Sequence, residues 1–191
     1  MLNHFYPLKQ VCRCSLLSIH LFSKCLSSNG LGHLWDSQSD PLLHALIARA
    51  GGDKSTKFLQ KESMECLFMV ILCLTTERAI SSLCNQILTI KVKSSHGRLV
   101  VGKLLTNLMD RLETNEDALQ CLPQKLGVDS FEKLLKVTAQ LLADGLSETR
   151  TCGRKIFSVL SRIHEIGKMC KRALTDRQLQ NMQPLCVKNK P

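Results

Sequence analysis

Three short basic stretches, each set between apolar helical runs, constrain this chain more than any other feature of its sequence. GGDKSTKFLQ (residues 51–60) lies between the apolar runs 42–50 and 58–74. KVKSSHGRLVVGKLL (residues 91–105) lies between the runs 80–90 and 99–112. DGLSETRTCGRKIFSVL (residues 144–160) opens as a polar, Gly-containing turn and runs into a further helix. The turns lie roughly 43 and then roughly 51 residues apart, close to the period of repeats built from helix pairs. In a stack of helical hairpins, the turns inside successive hairpins emerge along one edge. Three basic turns then become one basic ridge.

The helix signals from residue 38 onward agree with that layout. Asp40 reads as an N-cap with Pro41 at the first helical position, and Leu42, Leu43, Leu46 and Ile47 share one face. Gly51 and Gly52 stop this helix. A second helix over 57–74 is expected to turn Phe58, Cys66, Met69, Val70 and Cys73 inward. Its second half is apolar all round, so it is expected to be covered on two sides. A third helix over 77–90 takes Thr76 as its cap, and a fourth covers 97–112. Pro123 breaks the stretch 115–126. Asp129, with Glu132 three residues on, reads as a capping box opening a helix that Gly145 ends, and Ser147 caps the next. Shorter helices over 165–174 and, capped by Thr175, over 176–187 complete the chain. Alternation of the strand type is almost absent. The fold class is therefore all-α, a HEAT/armadillo-like helical-hairpin solenoid over residues 38–188. Residues 1–37 carry a loop signal at Asn29-Gly30 and no sustained apolar face. They are expected to form an irregular, poorly ordered segment with at most a short helix over 11–26, packed loosely on the first hairpin.

Hydrophobic residues make up 44% of the chain but aromatics only 4%, so aliphatic side chains and cysteine must fill the core. The net charge of +10 points to an acidic partner. Part of it is concentrated in Lys168, Lys171, Arg172, Arg177, Lys188 and Lys190, opposed within 168–190 by Asp176 alone. The ten cysteines are scattered along helical faces rather than paired as a disulfide framework, which fits buried free thiols in a reducing compartment. Cys12-x-Cys14 with His20 and Cys25 is the one metal-like grouping, and it lacks the paired ligand spacing of a structural zinc site. No metal or cofactor is expected.

Catalysis is not expected either, for the chain has no glycine-rich phosphate loop, no H-E-x-x-H and no nucleophile elbow. Cys152, with Arg150 and Arg154 nearby, has a basic setting of the kind that activates thiols, but packing of a small side chain explains it. The uncharged runs fall short of the ~18–20 residues that span a membrane. The basic segments lack interleaved aromatics and any nucleic-acid fold signature. No membrane and no nucleic acid are expected as partners. The candidate partner-binding residues are the cations of the three turns: Lys54, Lys57, Lys91, Lys93, His96, Arg98, Arg150, Arg154 and Lys155. Arg150 and Arg154 share a helix face, with one expected to touch a partner and the other to brace the neighbouring repeat. Trp35, the sole tryptophan, and His44 are read as packing and surface residues.

DPLLHALIARAGGDKSTKFLQKESMECL, DGLSETRTCGRKIFSVLSR and KMCKRALTDRQLQNMQPL together resemble a TOG domain. The resemblance covers residues 39–188 and is strongest toward the TOG-array proteins of axonemal microtubules, the crescerins, with the CLASP proteins as cousins. SETRTCGRK is its most specific piece. Where the family carries a Val-Arg-Lys step, this chain reads Val100-Val101-Gly102-Lys103. The resemblance implies a curved array of HEAT repeats whose intra-repeat turns grip αβ-tubulin, in the cytoplasm, on the cytoskeleton, at the cilium or axoneme. A whole TOG domain has about six repeats and this chain has room for three or four. It is thus expected to carry the C-terminal part of one domain. The alternative is a helical-repeat scaffold that binds some other protein without binding tubulin.

Overall fold

The computed structural model describes residues 5–52, 56–90, 92 and 94–186. The helices are α1 (Phe5–Ser28), α2 (Ser39–Ala50), α3 (Lys57–Cys73), α4 (Thr76–Leu88), α5 (Ser95–Glu113), α6 (Glu116–Gln120), α7 (Leu122–Leu126), α8 (Val128–Leu142), α9 (Ser147–Leu160), α10 (Ile166–Ala173) and α11 (Asp176–Cys186). A 3-10 turn, Gly32–Trp35, joins α1 to α2. No strand occurs among the described residues, and the fold is all-α.

Short polar side chains start several of these helices by accepting a first-turn N–H that the helix itself cannot satisfy. Thr56, Thr75, Ser94 and Asn115 accept from the N–H groups of Leu59, Arg78, Gly97 and Ala118. Four of the expected caps are corrected. Gln38 precedes α2, so Asp40 lies inside the first turn, where it pairs with Arg78 at 3.4 Å. Thr75, not Thr76, caps α4. The box at Asp129 does not form: Gly127 precedes α8 at φ +74°, and Glu132 reaches Arg172 instead at 2.7 Å. Ser147 is the first residue of α9 rather than its cap. At Asp40 and Glu132 a partner distant in sequence outcompetes the local bond.

The helices lie in two layers. α2, α4 and α8 form one, and α1, α3, α5 and α9 form the other, with α6 and α7 bridging α5 to α8. Polar links between neighbours in a layer recur at sequence separations of 39 to 50 residues. Arg78 to Ser39, Ser82 to Ser39, Arg98 to Asp144, Lys155 to Asp110 and Cys73 to Ser23 are examples. The spacing seen along the chain is therefore also the spacing at which helices meet. Between the layers, Leu43, Ile47, Leu67, Leu83, Leu104, Leu105, Leu108, Phe131, Leu134 and Ile156 are sealed from solvent. Burial pushes the thiols of Cys66 and Cys84 up to about 11 and about 12, so both act as small hydrophobes. Cys121 is exposed, unlike its expected placement among core residues.

Two further expectations are corrected. Phe58 points outward, with the Arg13 guanidinium 5.1 Å from its ring centre. Residues 5–37 are not irregular: 24 of them form α1. α1 runs parallel to α3, with Arg13 on Glu62 at one end and the Cys73 thiol donating to the Ser23 carbonyl at the other. Leu16, Ser23 and Leu26 are buried there. The segment looked irregular because its apolar residues spread over opposite faces, and its buried stripe includes a serine. α1 extends the layer of α3, α5 and α9.

Gly51 and Gly97 meet backbone to backbone: a Cβ on Gly51 would lie 2.5 Å from the Cα of Gly97. Adding a methyl there must push α2 from α5. Gly51→Ala is expected to cost roughly 1–3 kcal/mol of stability by overpacking. Gly145→Ala, whose Cβ meets nothing within 4 Å, is expected to be neutral. Thermal melts of the two variants check the contrast.

Candidate functional site: a basic edge built from three turns

A polar seam links the three turns along one edge. The Ser94 hydroxyl donates to the Gly51 carbonyl at 3.0 Å and accepts from the Gly97 N–H at 2.8 Å. One residue further, Arg98 Nε donates to Asp144 Oδ2 at 2.5 Å. Asp144 Oδ1 accepts from the Leu146 N–H, and Arg150 Nη1 donates to the carbonyls of Asp144 and Gly145. α3, α5 and α9 all begin at this edge. The unpaired N–H groups of their first turns add partial positive charge to that of the side chains.

Local and distant interactions divide the candidate cations into two kinds. Lys57, the first residue of α3, and His96, the second of α5, are exposed on the edge. Arg154 is exposed on α9, where its Nη2 donates to Thr151 Oγ1 at 2.9 Å. The other three serve the fold. Arg98 is committed to Asp144, whose side chain is only 4% exposed. Arg150 clasps the backbone of its own turn and does not brace the neighbouring helix pair as expected; that bridge is Arg98. Lys155 pairs with Asp110 at 2.8 Å, and that hydrogen bond holds its ammonium above the usual lysine range. Lys54, Lys91 and Lys93 lie outside the described residues.

The sequence reading missed two contributors. Asp144 is the anion that organises the third turn; its only signal was an Asp-Gly pair after a helix. Arg13 ties α1 to the start of α3 through Glu62 and the Phe58 ring, and it was passed over because its segment was read as irregular.

Tight packing accounts for the small residues at 152–153 and at 102. A Cβ on Gly153 would lie 2.8 Å from the Leu142 backbone nitrogen, so α9 can cross α8 this closely only with glycine at that position. A Cβ on Gly102 would lie 3.2 Å from that of Cys152. Gly102 and the small Cys152 are thus two sides of one α5–α9 contact.

The remaining candidates fall elsewhere. Cys12 lies against Arg49, whereas Cys14 and Cys25 are exposed, and no group of His, Cys, Asp or Glu among the described residues could hold a metal. His44 Nδ1 meets Gln86 Oε1 at 3.3 Å, and Trp35 packs edge-on against Phe22. Among the described residues no helix is long and apolar enough to cross a membrane.

Removing one member of a largely buried ion pair strands the other, so Asp144→Ala and Arg98→Ala are each expected to cost about 2–4 kcal/mol. Because the two losses share one interaction, the double variant is expected to fall well short of their sum. Chemical denaturation of the four proteins tests this. Comparison of the chain with family models, curated proteins and solved structures finds no match.

Proposed function

We propose that this chain is a tubulin- or microtubule-binding module of the TOG kind, acting through the basic edge, in the cytoplasm on ciliary or axonemal microtubules. The observation that carries the reading is the convergence of turns 51–52, 94–97 and 144–146 on one edge through the seam from Gly51 to Arg150. Lys57 and His96 stand exposed at the N-termini of α3 and α5, and Arg154 is exposed two turns into α9. Exposed basic side chains held on rigid helices suit an acidic, folded surface, where they steer encounter and set register. The HEAT-type identity of the helix pairs is part of the same reading. It is supported by the recurring separation of the interhelix links and by the resemblance of residues 39–188 to TOG domains.

A second reading, a helical scaffold for another protein, is favoured by one observation: Arg98, Arg150 and Lys155 are taken up by partners within the chain. The two readings separate in a microtubule co-sedimentation assay. Lys57→Glu with Arg154→Glu is expected to weaken binding about tenfold, at up to ~1 kcal/mol for each exposed contact, without lowering the melting temperature. Wild-type binding should fall steeply with added salt. Wild-type protein that neither pellets with microtubules nor binds free tubulin would leave the scaffold reading standing.

A further inference from the structure

α1 buries one face and leaves an apolar face on the other side. Its inner stripe, Cys12, Leu16, Ile19, Ser23 and Leu26, packs on the core. Its outer stripe is Val11, Cys14, Ser18, Leu21 and Cys25, flanked by Leu17 and Phe22. Val11, Leu17, Leu21 and Phe22 are all more than half exposed. The outer stripe steps by three and four residues in turn, which is the seam spacing of paired helices, and no charge interrupts it. A surface helix with one partner normally carries polar residues there.

We propose that this face pairs with the same face of a second copy, the two α1 helices crossing antiparallel in a two-fold homodimer. The stripe is self-complementary when read from opposite ends. Setting Cys14 against Cys25 of the other copy sets Ser18 against Leu21 and Val11 against Ser28, and the reciprocal pairs follow from the two-fold axis. The small residues Cys14, Ser18 and Cys25 along the seam let the helix axes approach closely. Charge also permits the pairing. α1 carries Lys9, Arg13 and Lys24 and no acid. Arg13 turns toward Glu62 of its own α3, and the antiparallel register sets Lys24 opposite Ser15. A parallel pairing would instead align the two helix dipoles side by side, whereas the antiparallel one opposes them favourably. The dimer also continues the existing architecture, because α1 is the end helix of the layer formed with α3, α5 and α9. Reversal of one copy points the two basic edges to opposite sides of the assembly. The proposal does not depend on what that edge binds.

The seam from Val11 to Cys25 is about 21 Å long. An interface of that length belongs at the weak end of the usual size range, with a dissociation constant on the order of 10 µM. Light scattering on the full chain, reduced and well above that concentration, should give twice the 21.4 kDa chain mass. Leu21→Glu should return it to the single-chain mass with helicity intact. If Leu21→Glu loses helicity, Val11→Glu at the other end of the stripe carries the same test. Diamide, a two-electron oxidant, then reads the register in a Cys121→Ser background. Two thiols become one disulfide, and diamide takes up the two protons and two electrons to become the hydrazine. Wild-type stripe cysteines should give a covalent dimer, while Cys14→Ser and Cys25→Ser should each abolish it. A monomer in the first measurement overturns the proposal and leaves a helix from a different protein as the occupant. A dimer indifferent to both charge substitutions overturns the surface. A covalent dimer surviving either single cysteine change overturns the antiparallel register.

Discussion

The carboxylate of Asp144 governs the basic edge. It is held out of water at the end of α8, where an unpaired charge is prohibitively costly. Arg98 from the neighbouring helix pair supplies the compensating charge, and the Leu146 N–H takes the second oxygen. Since the anion cannot be left without the cation, the start of α5 and the turn before α9 are fixed to one another. Ser94, four residues before Arg98, ties the same helix start to the Gly51 carbonyl. The three turns are therefore one connected unit, and the outward cations inherit their positions from it.

This dependence explains what could and could not be read from the sequence. Helices α3, α5, α8 and α9 announced themselves, because apolar periodicity and glycine punctuation are local properties of the chain. The sharing of one edge by the turns also followed from their spacing. Which cations face outward did not follow. Lys155 and Arg154 are adjacent and chemically alike, yet Asp110, far back along the chain, claims one and not the other. Caps shifted for a related reason: Asp40 had Arg78 and Glu132 had Arg172 within reach, and both preferred a distant charge to a local N–H.

α1 was the largest misreading, and its cause is physical rather than statistical. A helix with apolar residues on opposite faces has no single dominant stripe, so the usual signature cancels. The glycines mislead in a similar way. Gly102 and Gly153 sit inside helices, where glycine ordinarily weakens the structure. Here each marks a place where another helix lies too close for a side chain, so the local cost is offset by contact across the layers.

The separation of 39 to 50 residues between linked helices also bears on how the molecule comes apart. Each link of this kind joins a helix pair to its immediate neighbour, so cooperativity is handed along the stack rather than concentrated at a centre. Folding can begin wherever two adjacent pairs first dock, with only short loops to close at each later step. The ends have one neighbour instead of two, and under a pulling force they would detach first. Such a chain would lengthen in successive steps, each the release of one helix pair, rather than in one global rupture.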